Sequence, residues 1–139
     1  MRNFNFFSLL SVALFMTAGC SEPRGLPDVT EIKSINLSLN DPATMSYWTF
    51  EGDVPEKHWS KLLEHLTTTP YKGGIAKWQG LGVIRIYPSQ GDEFSIEVYL
   101  TGDAVGCYKL DGHYLTIDDE NAFYEDGKRF LHSDSNEVR

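Results

Sequence analysis

Downstream of Leu81 the chain alternates apolar and polar residues in short runs, each closed by turn-forming residues, and a period of two leaves little choice but an antiparallel sheet. The runs cover residues 81–87, 94–100, 105–110 and 113–117, and the turns between them carry Pro88-Ser89-Gln90-Gly91, Gly102-Asp103 and Asp111-Gly112. The same reading continues through strands at 122–125 and 128–131, joined by Asp126-Gly127. Asp-Gly pairs favour two-residue type I′ hairpins, because both central residues there need positive φ. The first pair sets Leu110 opposite His113, Tyr108 opposite Leu115 and Cys107 opposite Thr116. The second sets Glu125 opposite Lys128, Tyr124 opposite Arg129 and Phe123 opposite Phe130, each a favourable cross-strand pair.

The register between 94–100 and 105–110 decides where Cys107 points. A three-residue loop at Gly102, Asp103 and Ala104 sets Ile96 against Leu110, Val98 against Tyr108 and Glu97 against Lys109, so apolar residues share one face. A two-residue loop would bring Ile96 against Lys109 on the core side, and the longer loop is preferred. The inner face then carries Ile84, Ile86, Phe94, Ile96, Val98, Leu100, Leu110, Leu115 and Ile117. The outer face carries Arg85, Tyr87, Glu97, Tyr99, Cys107, Lys109, Tyr114 and Thr116.

Earlier in the chain, Ile35, Leu37 and Leu39 alternate with polar residues as a half-buried strand, Asn40-Asp41-Pro42 supplies a turn, and 47–50 returns as a second strand. Asp53 as N-cap, Pro55 in the first turn and Glu56 as capping-box partner then predict a helix with Trp59, Leu62, Leu63 and Leu66 on one stripe. Thr67 to Thr69 and Pro70 should end it. The expected fold is α+β, an antiparallel β-sheet meander with one amphipathic helix packed on one face.

The start of the chain reads differently. Arg2 is the only early charge, an apolar run covers 6–16, and Thr17, Ala18 and Gly19 are small. That run is shorter than the roughly 20 residues a spanning helix needs, and reads as the core of an export signal. Thr17-Ala18-Gly19-Cys20 resembles the lipobox of bacterial lipoproteins, with Thr17 where the family usually has Leu. The resemblance covers residues 1–20 and implies lipid attachment at Cys20, cleavage after Gly19 and acylation of the new amino terminus. It places the mature chain in the cell envelope, held to a membrane through Cys20. Ser21, in place of Asp, points to the outer membrane, facing the periplasm, if the organism has two membranes.

The expected organisation is a signal peptide at 1–19, a lipidated cysteine and flexible tether at 20–30, a single domain at 31–131 and a frayed tail at 132–139. Pro23, Gly25 and Pro27 mark the tether, whose ten or so residues would reach about 30 Å if extended. Loss of Arg2 leaves 11 basic against 20 acidic residues, a formal −9. That charge repels nucleic acid and anionic headgroups, so no nucleic-acid partner is expected and anchoring falls to the lipid. With Cys20 modified, Cys107 is left as the one free thiol.

No catalytic residues, metal site or cofactor are legible. His58 and His65 stand seven apart on the expected helix, where direct chelation favours a spacing of four, and read as surface histidines flanking the stripe. Asp118-Asp119-Glu120 lacks the alternation and the glycine of a calcium loop and reads as a solvated turn. Cys107 could be activated by Lys109 on the same strand face, yet no resolving cysteine or histidine accompanies it, and it reads as a small half-buried residue. Tyr87, Tyr99 and Tyr114 with Cys107 form the candidate interaction surface, since tyrosine offers contact area at low rotamer cost; the other reading of the tyrosines is cross-strand aromatic packing that stabilises the sheet. The resulting expectation is a non-catalytic envelope lipoprotein with an envelope protein as partner; the alternative is a small exported hydrolase or ligand carrier with a pocket beside His58, His65 or the acidic cluster.

Overall fold

A computed structural model describes residues 22–41, 46–73, 79–102 and 104–132. The expected signal peptide, Cys20 and residues 133–139 lie outside the described residues. Seven strands form one antiparallel sheet: β1 Ile32–Asp41, β2 Ser46–Asp53, β3 Leu66–Pro70, β4 Gln79–Pro88, β5 Phe94–Leu100, β6 Gly106–Leu110 and β7 His113–Ile117. Their spatial order is β2-β1-β4-β5-β6-β7-β3. Helices α1, Trp59–Glu64, and α2, Glu120–His132, pack on the inner face. The fold is therefore α+β, with two helices among the described residues where one was expected.

The central meander follows from alternation. Glu97 pairs with Lys109, Val98 with Tyr108 and Tyr99 with Cys107, the register of the three-residue loop. Across the next turn Cys107 pairs with Thr116, Tyr108 with Leu115 and Leu110 with His113. Asp111 and Gly112 have φ of 50° and 80°, as a type I′ turn demands. The inner face closes over Ile84, Ile86, Ile96 and Val98 together with Leu37 and Leu39 of β1, all shielded from water.

The expected first helix is corrected at both ends. Asp53 ends β2, paired with Asn36, rather than capping a helix. A short 3-10 turn at Glu56–His58 leads into α1, which stops at Glu64. Trp59, Leu62 and Leu66 do share the core, but Leu66 already belongs to β3. The residues expected to end the helix instead form that strand, since three threonines fit an extended backbone better than a helical one. Pro70 has no N–H to donate, and the β3–β7 pairing is irregular. Side chains supplement it: Thr116 Oγ1 donates to the Thr69 carbonyl at 2.8 Å, Thr67 Oγ1 to the Thr116 carbonyl at 2.8 Å, and the Tyr108 phenol to the Thr67 carbonyl at 2.5 Å.

The larger correction concerns residues 120–132, where two strands and an Asp-Gly hairpin were expected and α2 stands instead. Phe123 and Phe130, seven apart, lie on one side of that helix, and both are buried in the common core. Gly127 sits between them, facing β1. A Cβ there would stand 2.8 Å from Leu39 Cδ1 and 3.2 Å from Leu37 Cδ2, so glycine serves close approach of helix to sheet rather than a turn. Glu125 and Lys128 are partners, as an i,i+3 helical ion pair at 3.0 Å rather than across strands. Asp119 Oδ1 accepts from the Ala122 N–H at 2.9 Å and caps the helix.

Candidate functional site

With both helices on the inner side, the opposite face of β5, β6 and β7 presents the residues singled out from the sequence. Tyr99 and Tyr114 flank Cys107 from β5 and β7, the strands on either side of β6. Strands two apart lie about 9.6 Å from each other. The two rings are nevertheless only 6.2 Å apart between centroids, tilted by 55°, so they lean together over β6. Cys107, between them, is 0% exposed although it is not part of the main apolar core. The tyrosine pair thus leans over the strand that carries the buried thiol.

Among the described residues, two contacts hold the pair. The Tyr99 phenol donates to the Glu97 carboxylate two residues away on the same strand face. Lys109 Nζ stands 5.7 Å from the centre of the Tyr114 ring, whose negative face attracts the ammonium. Burial, the Glu97 hydrogen bond and the nearby negative charge all raise the Tyr99 pKa. Burial pushes the Cys107 thiol up to about 11, so Lys109 does not make it a thiolate nucleophile. Cys107 is a covered neutral thiol, more deeply buried than the half-buried residue expected from sequence.

Tyr87 stands apart from this group. Gly80 is the β4 residue that pairs with Tyr99, and Tyr87 lies seven residues further along β4, about 23 Å away. The structure therefore brings together Tyr99, Cys107 and Tyr114 and leaves Tyr87 at the other end of the face, beside Ser34 of β1.

The remaining candidates serve the fold. His65 meets Asp126 of α2 at 2.8 Å, and Asp126 also accepts from Arg129 at 2.6 Å. His58 stacks on Phe130 with centroids 4.4 Å apart. Both histidines therefore join α1 to α2, rather than lying on the surface as expected. Of the acidic run, Asp118 and Asp119 are exposed but Glu120 is only 4% exposed. Its Oε2 accepts from the Thr101 N–H at 2.9 Å and from Thr101 Oγ1 at 3.0 Å, tying the start of α2 to the β5–β6 loop. Among the described residues no three His, Cys, Asp or Glu side chains gather where a metal ion could be held, and no helix is long and apolar enough to cross a membrane.

One arrangement had no periodic signal in the sequence. Residues 22–30, the described part of the expected tether at 20–30, lie along the domain, with Arg24 bound to Asp111 of the β6–β7 turn. Two surface cavities, of about 780 and 540 Å³, flank this segment, both lined by Arg24, Gly25 and Leu26. Neither borders His58, His65 or the acidic run. No protein-family model, curated protein or solved structure matches the chain.

Proposed function

We propose that the mature chain is a lipid-anchored lipoprotein of the bacterial cell envelope, a non-catalytic domain that offers the outer face of its sheet to a protein partner. The observation that carries the reading is the partly exposed tyrosine pair, Tyr99 and Tyr114, on the face that neither helix covers. Glu97 and Lys109 lie beside it as a polar rim of both signs. Aromatic anchors within such a rim are the composition of protein-binding surfaces. The anchor rests on the lipobox-like Thr17-Ala18-Gly19-Cys20. Several acyl chains on Cys20 would hold the domain stably where one alone binds only marginally.

Two results are expected. A radioactive fatty acid should label the wild-type chain and leave Cys20→Ala unlabelled and unprocessed, because lipoprotein signal cleavage awaits the modified cysteine. Equal labelling of the two would sink the anchor. A photocrosslinker placed at Tyr99 or Tyr114 in intact cells should trap one reproducible protein adduct, and a crosslinker at exposed Glu125 should not. The same background from all three positions would remove the partner reading.

A further inference from the structure

We infer that residues 22–31 act as a strap that seats the end of the domain bearing the β4–β5 and β6–β7 turns against the headgroup layer of the membrane holding Cys20. This orientation rests on the lipid anchor proposed above; the strap itself does not.

Arg24 is held at its backbone and its side chain. Its N–H and Nε donate to Asp111 Oδ2 at 2.9 and 3.0 Å, and Nη2 donates to Asp111 Oδ1 at 3.1 Å. The guanidinium lies 4.2 Å over the Phe94 ring, and Nη2 also reaches the Glu93 carbonyl at 3.4 Å. A planar fork paired with a carboxylate and stacked on an aromatic ring is what arginine provides and lysine does not. Beyond it, Asp28 closes a capping box with Thr30 and Glu31, and the Ser89 N–H donates to the Glu31 carbonyl at 2.7 Å. The segment is thus fastened to both turns, by Arg24 at one and by Glu31 at the other.

Fastening shortens the leash. A free tether of ten residues reaches about 30 Å, whereas the four steps from Cys20 to Arg24 reach at most about 14 Å. The headgroup region on one side of a bilayer is about 6 Å deep. Asp111 and its neighbours therefore stand at or just above the headgroups. The β5–β6 loop lies at the other end of β5, a seven-residue strand, about 23 Å further out. The seated end sets one arginine, Arg24, against Glu22, Asp92, Glu93 and Asp111, a net negative charge that anionic headgroups repel and zwitterionic ones do not.

The test uses the full lipidated chain in phosphatidylcholine vesicles carrying a nickel-chelating lipid. Nitroxides are placed at the exposed positions 90 and 104 through Gln90→Cys and Ala104→Cys, each in a Cys107→Ala background. Relaxation enhancement by the nickel headgroup should be several-fold greater at 90 than at 104, and Arg24→Ala should bring the two together. Equal enhancement in the unsubstituted strap would overturn the orientation. Flotation of the vesicles isolates the anchor, since a chain that does not float refutes the lipid reading and the orientation with it. Trypsin isolates the strap, because an Arg24 side chain bonded to Asp111 must be released before the protease can take it. The Arg24–Gly25 bond should survive in the folded chain and be cut at least several-fold faster in Asp111→Asn. Equal cutting of both would refute the strap even where the protein floats.

Discussion

Cys107 in the folded protein is expected to alkylate at pH 8 about a hundred times more slowly than in denaturant, from thiolate supply alone. Burial raises its pKa from 9.0 to about 11, and two units at a pH below both values cut the thiolate fraction by that factor. Full burial of the thiol adds a steric barrier, so the observed ratio should exceed it. Mass spectrometry after timed iodoacetamide treatment reads the rate. Labelling at the denatured rate would show that the thiol is open to solvent and that the face lacks the geometry described. The same shift has a pH signature. A proton held more tightly in the folded state contributes stability that is complete below pH 9 and lost as pH rises through about 11. Tyr99, raised in the same direction, extends that loss to still higher pH. Denaturation midpoints should therefore fall on going from pH 8 to pH 11, and fall less in Cys107→Ala.

Phe123→Ala should destabilise the domain by about 3–5 kcal/mol, a large share of the roughly 5–15 kcal/mol that holds an ordinary domain together. Phe123 is 0% exposed, and its ring stands edge-on to His65 with centroids 5.8 Å apart, so truncation removes apolar burial and leaves a cavity between α2 and α1. Two helical positions on, Glu125 is exposed and its pairing with Lys128 is a surface ion pair. Glu125→Ala should therefore change stability by less than about 0.5 kcal/mol. Urea titration of the two variants beside the wild type measures the contrast. A loss below about 1 kcal/mol for Phe123→Ala would mean that α2 is not part of the core.

The two Asp-Gly pairs show where local reading works and where it stops. At Asp111-Gly112 the dipeptide joins two alternating runs, and hairpin, register and faces follow from the residues alone, because a slip of one position would turn Leu110 and Leu115 to water. At Asp126-Gly127 the same dipeptide lies inside a helix. The sequence did contain a competing signal, Phe123 and Phe130 seven apart, each followed by a second large apolar residue in Tyr124 and Leu131. Turn preference is worth on the order of 1 kcal/mol, and burying two phenylalanines against the sheet is worth several. That burial exists only once β1 presents Leu37 and Leu39 to Gly127.

The candidate site divides in the same way. Alternation alone placed Tyr99, Cys107 and Tyr114 on one face of three adjacent strands, since the side-chain period along a strand is two. Whether the thiol between them meets water depends on side-chain directions across three strands, which no periodicity encodes. Tyr87 shares the parity but not the neighbourhood, because parity fixes a face and only the pairing of β4 with β5 fixes a position along it. The strap lay furthest from view. Arg24 and Asp111 are 87 residues apart, and opposite charges at that separation become partners only when the folded sheet brings the β6–β7 turn back to the start of the chain. Short-range order was written in the alternation of residue types; contacts between distant segments were decided by which apolar surfaces had to be covered, and that is a property of the packed molecule.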